Sequence, residues 1–99
     1  MNSIEQQIVS TLINNALSQG YTVSVIDSYD AEGDCTVRRS TNPAEILAAL
    51  DTTGGDRLIM RDAAGFKVGS VTLIYNGDDT VIADHTANEA MEALTAFAI

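Results

Sequence analysis

Residues 56–86, DRLIMRDAAGFKVGSVTLIYNGDDTVIADHT, constrain the fold more than any other part of the chain. In DRLIMRD, Leu58 and Met60 fall on one face and Arg57, Ile59 and Arg61 on the other. That two-residue period marks a half-buried strand. DAAG, residues 62–65, fits a type I turn ending in a left-handed glycine. FKVGSVTLIY begins with Phe66 and Val68 on one face and continues with Val71, Leu73 and Tyr75. A bulge at Gly69-Ser70 would return both halves to the same side of a sheet. Asn76-Gly77 is the residue pair that closes two-residue hairpins, since both residues accept positive φ, and residues 80–86 would then pair back. Three strands joined by such short turns are antiparallel, because a parallel connection needs a dozen or more residues.

The rest of the chain supplies helices and two further strands. Ile4, Ile8, Leu12 and Ala16, with Val9, Ile13 and Leu17 beside them, form one apolar stripe at helical spacing. Ser3 and Gln6 fit a capping box at its start, and Gly20 suits the left-handed residue that ends it. Tyr21, Val23 and Val25 alternate with Thr22 and Ser24 in a strand; SYDAEGD makes a turn, and residues 35–40 resume as a second strand. Asn42, Pro43 and Glu45 are placed as N-cap, first-turn proline and box partner of a short helix that buries Ile46, Leu47 and Leu50. Thr86 and Glu89 open a last helix whose apolar face is Ala90, Met91, Leu94 and Phe97. The order α-β-β-α-β-β-β-α predicts one α+β domain over residues 1–99. Its antiparallel sheet would have about five strands, with the helices packed on one face.

Charge is distributed unevenly around a net −9. Residues 1–37 hold Glu5, Asp27, Asp30, Glu32 and Asp34 with no base, and residues 68–99 hold Asp78, Asp79, Asp84, Glu89 and Glu92 with no base. All five bases, Arg38, Arg39, Arg57, Arg61 and Lys67, stand between these arms. Direct nucleic-acid binding is disfavoured, because phosphate neutralisation needs a concentrated basic patch. A basic partner would be steered towards the acidic arms. No run reaches the ~20 apolar residues of a membrane span, and polar residues interrupt the N-terminal segment where a signal peptide would be apolar. A single cysteine, Cys35, with no base or histidine beside it, reads as a packed thiol in a reducing, cytoplasmic setting.

Candidate sites reduce to two clusters. Asp78, Asp79, Asp84 and His85 would be the ligands or acid/base groups of a metal-binding or hydrolytic protein. Yet adjacent strand residues such as Asp84 and His85 point to opposite faces, and no second histidine exists. Ser28, Asp30, Glu32 and Gly33 match the start of a calcium loop, but Arg39 occupies the position where a bidentate glutamate belongs. No nucleophile motif, phosphate loop or paired-cysteine motif occurs, so the chain reads as non-enzymatic and without cofactor. Ile59, Arg57, Arg61, Ser70 and Thr72 would share the second sheet face. Left uncovered by helix, they would offer a mixed surface for a partner or a homodimer.

GYTVSVID, followed by STNPAEILAALDTTGGDRLIMRDAAGFKVGSVTLIYNGDDTVIADHT, resembles small acidic accessory proteins encoded by phages and other mobile elements of proteobacteria. The likeness covers most of the chain. It departs from their pattern at Ser70 (tryptophan there), at YNGDD (for YGNDG) and at His85 (tyrosine there). Anti-CRISPR and other anti-defence inhibitors are among such proteins, so the resemblance implies a non-enzymatic binder. The expected partner is a basic, nucleic-acid-binding host protein, met by Asp30, Glu32, Asp34, Asp78 and Asp79.

Overall fold

The computed structural model describes residues 1–27, 35–52 and 54–98. The fold is α+β. Its elements are α1 (Ser3–Ser18), β1 (Thr22–Asp27), β2 (Val37–Ser40), α2 (Pro43–Ala48), β3 (Gly55–Arg61), β4 (Lys67–Ile74), β5 (Ile82–His85) and α3 (Glu89–Thr95), the last running into a 3-10 turn over Ala96–Ala98. The five strands form one sheet in the order β2-β1-β3-β4-β5, with every neighbouring pair antiparallel. Among the described residues no helix is long and apolar enough to cross a membrane.

Strand alternation decides what the helices cover. Val23 and Val25, Leu58 and Met60, and Val71 and Leu73 share one face and pack against Val9, Leu12, Ile13 and Ala16 of α1, Ile46 of α2, and Met91 and Leu94 of α3. The apolar stripe of α1 is narrower than its spacing suggested: Ile4 is exposed, and Glu5 is buried in the turn where the stripe begins. Gly20 does close the helix, with φ +84°. The Gly20 amide donates to the Leu17 carbonyl and the Tyr21 amide to the Ala16 carbonyl, the paired bonds of a Schellman end.

Both terminal helices start on asparagine rather than on the expected hydroxyl residues. In α1 the box is Asn2 with Glu5: Asn2 Oδ1 accepts from the Glu5 amide at 2.9 Å, and Glu5 Oε1 accepts from the Asn2 amide at 3.1 Å. In α3 the cap is Asn88, which accepts from the Met91 amide at 2.9 Å and donates its Nδ2 to the Val68 carbonyl. Thr86 pairs instead with Ser70, which extends the β4–β5 ladder by one residue and delays the helix. Phe97 falls in the 3-10 turn and is exposed, so it leaves the apolar face on which α-helical spacing had placed it. Only α2 starts on the expected residue, Asn42, which accepts from the Ala44 and Glu45 amides with Pro43 following; Glu45 does not close the expected box, because the Asn42 amide donates to Ser40 Oγ at 3.1 Å.

The strand connections differ in detail from their sequence signals. At residues 62–65, Asp62 Oδ1 accepts from the Ala64 and Phe66 amides, and Gly65 takes φ +89°, as the turn chemistry demands. The bulge of β4 lies at Val68, one residue earlier than expected, since Met60 pairs with Gly69 and Arg61 with Lys67. Phe66 lies beyond the paired strand, bonded to Asp62 across the turn, and is 72% exposed rather than part of the core. Asn76-Gly77 does not form a two-residue turn. Of the two, only Gly77 has positive φ, and the first bond across the loop runs from the Ile74 amide to the Val81 carbonyl. The cause is tertiary: Gly77 is held by α1, its amide donating to Glu5 Oε2 at 3.0 Å and its carbonyl accepting from Asn2 Nδ2 at 2.6 Å.

On the sheet face turned away from the helices, Ile26 and Ile59 are buried too. The mixed surface expected around an exposed Ile59 is thus not formed there. Arg39 sits in a bulge of β2, opposite Ser24, with φ +49°. Its side chain reaches over β1 to the β3–β4 turn, where Nη1 lies 3.3 Å from the position a Cβ on Gly65 would take.

Candidate functional site

Two of the five carboxylates expected to meet a partner, Asp78 and Asp79, lie in the β4–β5 loop and are exposed. The other three, Asp30, Glu32 and Asp34, fall outside the described residues. The loop projects because its root is fixed on both sides. Gly77 is tied to the α1 start, and Asp78 Oδ1 accepts from the amide and hydroxyl of Thr80. Those hydrogen bonds favour the ionised form, so the Asp78 carboxyl lies below the usual aspartate range. The negative charge at the loop tip thus persists into mildly acidic solution.

Three more carboxylates continue from this tip. Asp84 on the edge strand β5 and Glu89 and Glu92 on α3 are exposed. Residues 78–92 therefore hold five exposed carboxylates, in the β4–β5 loop, on the edge strand and on α3, without an intervening base in sequence. Asp84 turns back on its own strand, where Oδ1 accepts from the His85 amide at 2.8 Å. His85 places Nδ1 3.0 Å from the Thr86 carbonyl. A carbonyl only accepts, so Nδ1 carries the proton and the ring braces the strand end. Among the described residues, no three His, Cys, Asp or Glu side chains stand together in a way that could hold a metal ion.

The bases are gathered elsewhere. Arg57 and Arg61 alternate with the core residues of β3, Lys67 is registered opposite Arg61, and Arg38 and Arg39 occupy the β2 bulge. Arg57, Arg61 and Lys67 thus share the helix-free face, and Asp84 of β5 shares it too, because Thr72 pairs with both Arg57 and Asp84. Arg61 Nη1 donates to the Gly65 carbonyl at 3.1 Å, beside the Arg39 guanidinium.

A second group of carboxylates has no counterpart in the sequence reading. Glu5 and Asp56 are buried, 2% and 1% exposed, on either side of Tyr75. Asp56 Oδ2 accepts from the Tyr75 hydroxyl at 2.6 Å and from the Asp51 amide at 3.0 Å. Burial first, then the hydrogen bond and charge of Asp56, and last the charge of Glu5, push the Tyr75 phenol far above its ordinary range. The roles of these groups are structural: they join the α1 start, the α2 exit and the strand ends. Asn2 three residues before Glu5 was the available signal for half of this cluster. Nothing local ties Asp56 to Tyr75.

At the far end of α1 an open groove of about 600 Å³ separates that helix from α3. Asn15 and Gln19 line one side, Glu89, Ala93 and Leu94 the other, and Tyr21 the end. Comparison with protein-family models, with curated proteins and with solved structures returned no match to this chain.

Proposed function

We propose that this chain is a non-enzymatic binding protein. Its acidic edge occupies lysine and arginine side chains of a basic, nucleic-acid-binding protein, and so inhibits or modulates that protein. The observation that carries the reading is the row of exposed carboxylates from Asp78 to Glu92 with no base among them. Such a row concentrates negative charge, and the groups it attracts are those that otherwise contact phosphate. Exposed carboxylates retain their hydration until contact, which suits fast, salt-sensitive capture better than chemistry. A phage- or prophage-type anti-defence role is the setting that the sequence resemblance adds.

The test is affinity capture from a bacterial lysate at low and moderate salt, with added DNA as competitor. A basic protein that is retained at low salt, released at moderate salt and displaced by DNA supports the reading. The variant Asp78→Asn/Asp79→Asn/Asp84→Asn/Glu89→Gln/Glu92→Gln should lose the same protein. Capture that is indifferent both to salt and to these five substitutions would sink it.

A further inference from the structure

We propose that two copies of this chain associate about a two-fold axis, the Phe66 ring of each entering the α1–α3 groove of the other. The contact uses neither Asp78 nor Asp79, and it shares only Glu89 with the acidic row proposed to capture a basic partner.

Among the described residues, Phe66 is the most exposed of the large apolar side chains, at 72%. Its backbone is fixed: the amide donates to Asp62 Oδ1 at 3.0 Å, and its carbonyl accepts from the Asp62 amide at 2.9 Å. An aromatic ring held outward on a closed turn loses little freedom on docking, which is the property of an interface anchor. Around it stand cations: Lys67 follows in sequence, and the Arg39 and Arg61 guanidiniums flank Gly65.

The groove is the complement of that knob. Tyr21, Ala93 and Leu94 give it an apolar lining, and its one charged residue is Glu89. The last turn of α1, which forms the other wall, has no base. A volume of about 600 Å³ is ample for one phenyl ring and the stem of a neighbouring lysine.

Position then selects a second copy as the occupant. Tyr21 immediately precedes Thr22, which pairs with Arg61, the residue before the Phe66 turn. Asn88, the α3 cap, is bonded to the Val68 carbonyl, two residues after Phe66. Knob and groove therefore lie at the same end of the sheet. A two-fold interface requires this adjacency, because each patch must meet its opposite on the partner. Cation meets carboxylate twice across the axis, and the apolar contact lies between them.

Sedimentation of the full chain over a wide concentration range tests this, in 150 mM salt to screen the charge of each copy. The monomer is 10.5 kDa, and a concentration-dependent species of twice that mass is expected. Phe66→Ser and Ala93→Gln alter exposed positions, and circular dichroism checks that both remain folded. Each alone should weaken association at least about tenfold, the scale of a lost anchor residue. Mixed together they should partly recover it, because the mixed dimer keeps one intact ring and one open groove. A wild-type chain that stays monomeric throughout, a Phe66→Ser chain that dimerises normally, or a mixture no tighter than either variant overturns the proposal. Phe66 and Ala93 lie outside the acidic row, so capture of a basic protein is measured separately on the same two variants.

Discussion

A Cβ built on Gly69 would overlap Met91 Cγ and stand 2.9 Å from its Sδ, so this position sets how closely α3 approaches β4. Gly69→Ala should cost about 1–3 kcal/mol in urea unfolding, the range for overpacking a filled core. Adding Met91→Ala should recover part of that loss, a non-additivity that separates crowding from backbone effects. Tyr75 makes a different prediction. Its phenol is raised in the fold relative to the unfolded value of about 10, so the protonated form is favoured by folding. That contribution is complete below pH ~10 and is lost as pH rises above it. Stability measured from pH 8 to 11 should therefore fall at the alkaline end. Tyr75→Phe should cost about 1–3 kcal/mol at pH 8, by leaving buried Asp56 short of a donor, and should flatten the alkaline fall. An alkaline slope unchanged in Tyr75→Phe would assign the sensitivity to another group.

At the scale of elements, strand alternation and helix periodicity sufficed to place every helix and strand in order. Both are properties of neighbours a few residues apart. Leu58 and Met60 could face only one way once the strand was recognised, and Asn42-Pro43 could start only one helix. What stayed hidden depends on contacts between elements. Ser3 and Asn2 are equally good caps locally, and Asn2 is selected because its amide group also reaches Gly77. Thr86 is a good cap too, but β4 takes it through Ser70. Asn76-Gly77 has the composition of a tight turn, yet Glu5 and Asn2 hold Gly77 in a wider loop. Of the candidate site, only the presence of the acids was legible. Which acids and bases share a sheet face, as Asp84 and Arg57 do through Thr72, follows from strand order, which local patterns do not encode. For the caps the expectation is quantitative: Asn42→Ala and Asn88→Ala should each cost about 1 kcal/mol in thermal or urea unfolding. Asn88→Ala should cost more than Asn42→Ala, since it also frees the Val68 carbonyl.

For the molecule as a whole, a net charge of −9 on 99 residues opposes compaction through self-repulsion. Salt screens that repulsion, so the melting temperature should rise between 10 and about 300 mM potassium chloride. Neutralising Asp78, Asp79, Asp84, Glu89 and Glu92 together takes the charge from −9 to −4 by removing five negative charges. This variant should show a smaller salt dependence. If its melting temperature rises with salt as steeply as the wild type's, the edge carboxylates are too well solvated to strain the fold. Their effect would then be confined to binding.

The single carboxylate of Glu5 closes two rings of very different size. Oε1 completes a turn with Asn2, three residues away, while Oε2 reaches Gly77 across 72 residues. Helix caps form with their own turn, whereas so long a closure waits until the sheet has assembled. Glu5 thus acts in two periods of folding through two oxygens. Glu5→Gln keeps only one accepting oxygen, which cannot serve both amides. If the local bond is the one retained, the loss falls after the rate-limiting step: refolding in stopped-flow mixing should be nearly unchanged and unfolding clearly faster. A first-turn residue would then govern how long the folded chain lasts rather than how quickly it forms.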